Sequence, residues 1–132
     1  MKIKVMKKED KDLLLKDLSA RLPYGVICDI YNDTCTIKEK LLIGGLSHFC
    51  DDTIAVRPYL RPMSSMTEVE VIEFIKLTDS IIKFANKHYA VLSLQQIDWL
   101  NAHHFDYRGL IEKGLAIEVT KENNPYKAQK GD

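Results

Sequence analysis

Thr67 and Glu70 stand three residues apart at the head of an apolar segment, and Ser93 and Gln96 repeat the arrangement. In such a capping box the hydroxyl takes the backbone N–H of the fourth residue, whose own side chain reaches back to the first residue's N–H. A hydrophobic pair brackets each box, Met66 with Val71 and Leu92 with Ile97, as a staple across the first turn does. Two helices therefore begin at fixed points, and the rest of the chain has to be arranged around them. After the first box Val71, Phe74, Ile75, Leu77, Ile81, Ile82, Phe84, Ala85 and Tyr89 wind onto one half of a helix. Glu73, Lys76, Asp79, Lys83 and Lys87 fall opposite them, so the pattern predicts a long amphipathic core helix over residues 67–88. The second box predicts a short helix over 94–103.

Ahead of these boxes the pattern changes twice. Leu14, Leu15, Leu18 and Leu22 recur at three- and four-residue steps, with Lys11, Asp12, Lys16 and Asp17 placed elsewhere, which predicts a helix over 9–22. Pro23 ends it, lacking the N–H that a continuing helix needs. Residues 26–31, 34–43 and 53–59 are rich in β-branched and aromatic side chains and are separated by Asn32-Asp33, Gly44-Gly45 and Asp51-Asp52. They predict a three-stranded antiparallel meander, with bends at Pro58 and Pro62 and a small edge strand at Ile3 and Val5. Beyond the second box, Asp106 caps a fourth short helix through Lys113, ended by Gly114. Leu115, Ile117 and Val119 alternate as a last strand, and the polar residues 121–132 form a tail expected to fray. The fold class is α+β, with residues 1–120 as one domain.

Charge narrows the function classes. With 19 basic and 19 acidic side chains the formal net charge is zero, so no strong field draws the chain to nucleic acid or an anionic membrane. Near-neutrality also lowers the repulsion between copies, which favours self-association or a stable protein partner. No apolar run reaches the length of a membrane span or a signal peptide, and Cys28, Cys35 and Cys50 form no C-x-x-C pair. Free thiols in a reducing cytoplasm are the expectation.

Chemistry-bearing residues are sparse. His103 and His104 lie beside Asp106, but adjacent histidines on a helix point about 100° apart, whereas a helical metal pair sits at i, i+4. A helix end, where a cationic imidazole suits the dipole, explains them better than a metal site. His48, Cys50, Asp51 and Asp52 gather a thiol, an imidazole and two carboxylates without an orienting third group or an oxyanion site. Gly44-Gly45 fits neither phosphate-binding glycine fingerprint. No catalytic residue, metal or cofactor is assigned. The arginines carry more. Arg57 and Arg61 flank Pro58-Tyr59-Leu60, and Tyr107 precedes Arg108. Arginine beside tyrosine suits a phosphate, a carboxylate or a partner's ring, and both types are enriched at binding hot spots. The competing reading pairs these arginines internally with Asp29, Asp52 or Asp106. Arg57, Tyr59, Arg61, Tyr107 and Arg108 are the expected partner-binding set.

Three stretches, 17–26 (DLSARLPYGV), 56–67 (VRPYLRPMSSMT) and 98–118 (DWLNAHHFDYRGLIEKGLAIE), resemble a family of short proteins encoded by gut anaerobic bacteria and their phages and mobile elements. The family has no assigned activity, so the resemblance implies a phage or mobile-element setting inside a bacterial cell, or in a virion, and brings no catalytic residues. Together these readings make the expected function a non-enzymatic protein–protein interaction module, an accessory or structural component of a phage or mobile element. A nucleic-acid-associated protein contacting phosphates through the loop arginines is the alternative, and a small metal-dependent or Cys/His enzyme the second.

Overall fold

The structure, a computed structural model, describes residues 6–45, 54–77, 81–84, 87–90 and 92–126. The expectations placed on Ile3, Val5, the 48–52 cluster and residues 127–132 lie outside them.

Helix α1, Lys8–Arg21, begins with Glu9 and Asp10 and ends with Arg21, charges that complement its dipole. A 3₁₀ turn, Leu22–Tyr24, takes in Pro23, and Gly25 closes it at φ 73°, where a side chain would be strained. The buried face of α1 is set by Leu14, Asp17, Leu18 and Arg21, not by the leucines alone. Leu15 is exposed and Asp17, expected on the solvent side, is fully buried. Positions 14, 17, 18 and 21 share one stripe because they are separated by whole helical turns; 15 and 22 lie about 100° and 80° off Leu14.

Strand β1, Ile27–Tyr31, is central. It pairs antiparallel with β2, Thr36–Lys40, and on its other side with β3, Ala55–Pro62. All three strands exist and are antiparallel, but the order β2-β1-β3 is not that of a meander. Asn32 makes the first turn as expected, its side-chain oxygen accepting the N–H groups of Thr34 and Cys35. Pro58 does not bend the chain, since it lies within β3 opposite Cys28, whereas Pro62 is the last residue of β3 and the chain turns there into a 3₁₀ turn, Met63–Ser65. Proline's fixed φ fits extended backbone and forfeits only an N–H. The far side of β3 takes two short parallel strands end to end. Arg61 and Pro62 pair with β6, Phe105–Asp106, and Tyr59 and Leu60 with β7, Ile117–Glu118. Leu14 and Leu18 of α1 cover one face of this mixed sheet, closing a core with Val26, Cys28, Leu41, Val56, Leu60, Leu110, Leu115 and Ala116.

The expected long helix is the largest correction. Helix α2 is Glu68–Lys76 only, and beyond it β4, Ile81–Phe84, pairs antiparallel with β5, Lys87–Ala90, in a two-stranded sheet. Isoleucine, phenylalanine and tyrosine satisfy a helical stripe and a strand equally, and their strand preference prevails once α2 ends at Leu77. Helix α3, Leu94–Ala102, lies where its capping box places it. The fourth helix reduces to a single turned segment, though both of its predicted ends are real. The Asp106 carboxylate accepts the N–H groups of Leu110 and Ile111. Gly114 at φ 74° donates to Ile111 O while Leu115 donates to Leu110 O, the paired bonds of a Schellman motif. Among the described residues no helix is long and apolar enough to cross a membrane.

Candidate functional site

Among the described residues Arg21 is the one fully buried cation, and its neighbours explain how it is tolerated. Its Nε donates to Asp17 Oδ2 at 2.7 Å and one terminal nitrogen to Phe105 O at 2.6 Å. Arg108 reaches the other oxygen of Asp17 at 2.9 Å and also donates to the Tyr107 hydroxyl, which in turn donates to Asn101 of α3. Both guanidinium groups lie against the Tyr107 ring, at 5.2 and 4.7 Å from its centre. One carboxylate therefore serves two arginines and ties α1 to the segment after β6. A buried charge survives only with such partners, and removing Asp17 would leave both arginines uncompensated.

Arg61 is committed too. Its two terminal nitrogens grip Glu70 of α2 at 2.8 and 2.7 Å, and its guanidinium lies 4.1 Å over the Phe105 ring. This fork holds the Glu70 carboxyl down at about 2 from an ordinary 4.5, opposed by partial burial and helped by the Thr67 N–H. Tyr59 is buried and donates to Asp29 at 2.9 Å. Burial first, then the Asp29 carboxylate, push its phenol up to about 12. Lys38 of the edge strand sits 4.9 Å over the Tyr59 ring. Of the five expected partner-binding residues, Arg61 thus lies over Phe105, Tyr107 and Arg108 sit with Arg21 about Asp17, and Arg57 and Tyr59 stand nearer β1. Their carboxylate partners are Glu70, Asp17 and Asp29. Arg57 is half-buried with its Nε unpartnered.

The C-terminal segment is docked, so the fraying expected from residue 121 is not seen at Pro125 and Tyr126. The Tyr126 hydroxyl accepts the Ile27 N–H at 3.0 Å and donates to Tyr59 O at 2.6 Å, and its ring stacks on His104 at 3.6 Å. His103 instead stacks on Trp99 at 4.0 Å, so the two histidines serve different packing contacts. Among the described residues no three His, Cys, Asp or Glu side chains are placed to hold a metal ion. A shallow groove of about 330 Å³ lies beside Arg61, between Ser65 and Lys121.

Helix α2 presents the surface that sequence reasoning missed. It buries none of its residues. Its inner side is Glu70, held by Arg61, and Phe74, tilted against Trp99 at 5.5 Å. Outward it turns Val69, Ile72 and Ile75, with 66, 55 and 58% of their surfaces exposed, and Val71 beside them. No family model, curated protein or solved structure matches this chain. The cue to this face lay in the sequence: Glu70 and Phe74 are four apart, and if they face inward, Val69, Ile72 and Ile75 cannot.

The far end of α2 is anchored by polar bonds as well. Gln96 donates to Phe74 O at 3.0 Å and Ser93 to Leu77 O at 3.1 Å, so the capping box of α3 also satisfies the last carbonyls of α2. Leu92 and Leu94, flanking Ser93, are exposed next to this junction. Chemically the arrangement offers exposed apolar side chains. Cys28 is no activated nucleophile: it is sealed in the core, where burial pushes its thiol up to about 12.

Proposed function

We propose that the chain is a non-enzymatic protein–protein interaction module that docks through the outer face of α2, an accessory component of the phage or mobile-element setting its sequence resemblance implies. The observation that carries this reading is a helix clamped at both ends by polar bonds while its apolar side faces solvent. Exposed apolar side chains scattered singly need no explanation, but a continuous row on one short helix marks an interaction site. The arginines act in this reading as internal clamps that present the helix. Arg61 sets the angle of α2, and Arg108 and Arg21 fix the scaffold behind Phe105. Arg57, half-buried and outside any ion pair among the described residues, is the one member of the expected set left for a partner's carboxylate.

The test is isolation of the tagged chain from its native cell after nuclease treatment, as wild type and as Ile72→Glu. A stoichiometric protein partner is expected, a second copy included, and the substitution should strip it away. Retention of every partner by Ile72→Glu contradicts docking through α2. A partner lost on Arg57→Ala alone moves the docking face to the open side of the sheet.

A further inference from the structure

The α2 face is complementary to itself. Of the seven exposed residues of α2, the five nearest Ile72 on the helix surface, Glu68, Val69, Ile72, Ile75 and Lys76, are distributed symmetrically about it in chain order, with Val71 and Glu73 flanking this stripe on either side. An antiparallel copy with a two-fold axis at Ile72 sets Glu68 against Lys76, Val69 against Ile75 and Ile72 against itself, and the same pairs recur on the other side of the axis. Wound at about 100° per residue, all five lie within one half of the helix circumference. Glu68 and Lys76 are exposed, and neither is paired among the described residues. Antiparallel alignment also sets each helix's positive N-terminal end beside the other's negative C-terminal end.

We infer that the chain forms an isologous dimer through α2, packed antiparallel against the α2 of a second copy, with two Glu68–Lys76 pairs closing the ends of a Val69–Ile72–Ile75 seam. This rests on the reading of the α2 face as a docking face and names its occupant. A second copy is favoured over an unrelated partner by three facts that meet here. The charges at the two ends of the face are opposite, the apolar residues are symmetric about its centre, and the chain has zero net charge to oppose association. A strongly acidic or basic partner would find one matching end and one repelling end. The seam is short: a nine-residue helix covers less than the roughly 800 Å² per partner of a standard interface, so the dimer is micromolar or weaker.

Sedimentation of the full chain from about 5 µM to about 1 mM spans that range. The wild type should pass from monomer to dimer. Glu68→Lys and Lys76→Glu each convert both end pairs to like charges and should weaken the dimer about 5- to 30-fold. Combining them restores opposite charges and should return the dissociation constant to within about twofold of wild type. Mixing the two single variants should yield a heterodimer stronger than either homodimer. Lys76→Glu leaves the Thr67–Glu70 cap untouched, so it carries the test even where Glu68→Lys disturbs the helix start. A wild type monomeric at the highest concentration overturns the dimer, and so does a double variant as weak as the singles. If the wild type is monomeric while Ile72→Glu still strips a cellular partner, the dimer falls and the docking face stands. If Ile72→Glu changes neither, both fall.

Discussion

Helices α2 and α3 are each nine residues long and begin with the same device. In both, the hydroxyl at the cap accepts the fourth residue's N–H and that residue's side chain reaches back. Beyond the first turn the two helices part. Helix α3 buries Gln96, Leu100 and Asn101, whereas α2 buries nothing. The fourth residue of each box also does a second job outside its helix. Glu70 receives Arg61 from β3, and Gln96 donates to the Phe74 carbonyl of α2. In α3 that polar bond adds to a packed face. In α2 it replaces one. A capping box therefore specifies where a helix starts and says nothing about which side of it will be buried.

Truncation separates the two helices most strongly. Leu100→Ala removes a fully buried side chain and should cost about 3 kcal/mol by chemical denaturation, whereas Ile72→Ala should stay within about 0.5 kcal/mol when the chain is monomeric. Acid comes next. Because the folded Glu70 titrates at about 2 and the unfolded one near 4.5, its contribution is complete above 4.5 and is lost as pH falls from 4.5 towards 2. The loss amounts to at most about 3 kcal/mol, reduced by the solvent that screens this half-buried pair, and amide exchange should show it in α2 before α3. Arg61→Ala should remove this part of the pH dependence. Smallest is the difference between the caps. Thr67→Ala should cost about 1 kcal/mol and Ser93→Ala about 2 kcal/mol, since the Ser93 hydroxyl also donates to Leu77 O. Equal thermal shifts for the two would show that this second bond contributes nothing.

Legibility followed the range of the interaction. Features made within five residues were readable: both capping boxes, the Asn32 turn, the Asp106 cap and the Gly114 ending. Features made across the chain were not. The pairing of β3 with β1 in place of β2, and the return of Phe105 and Ile117 to its other edge, depend on contacts that no local pattern encodes. Burial was the weakest inference where polar residues enter the core. Asp17 and Arg21 stand at i, i+4 in the sequence, an ordinary surface pair by spacing, yet both are fully buried. Two of the three expected partner-binding arginines have carboxylates of their own fold as close partners, Glu70 for Arg61 and Asp17 for Arg108.

The apolar row of α2 is held to serve association and not folding. The most direct test is the thermal melting of an Ile72→Asp, Ile75→Asp double variant, kept at a concentration where the wild type is monomeric. Its midpoint should lie within about 2 °C of wild type, because surface substitutions away from buried features change stability little. A fall of about 10 °C or more would mean that these side chains are part of the core, and would contradict that role.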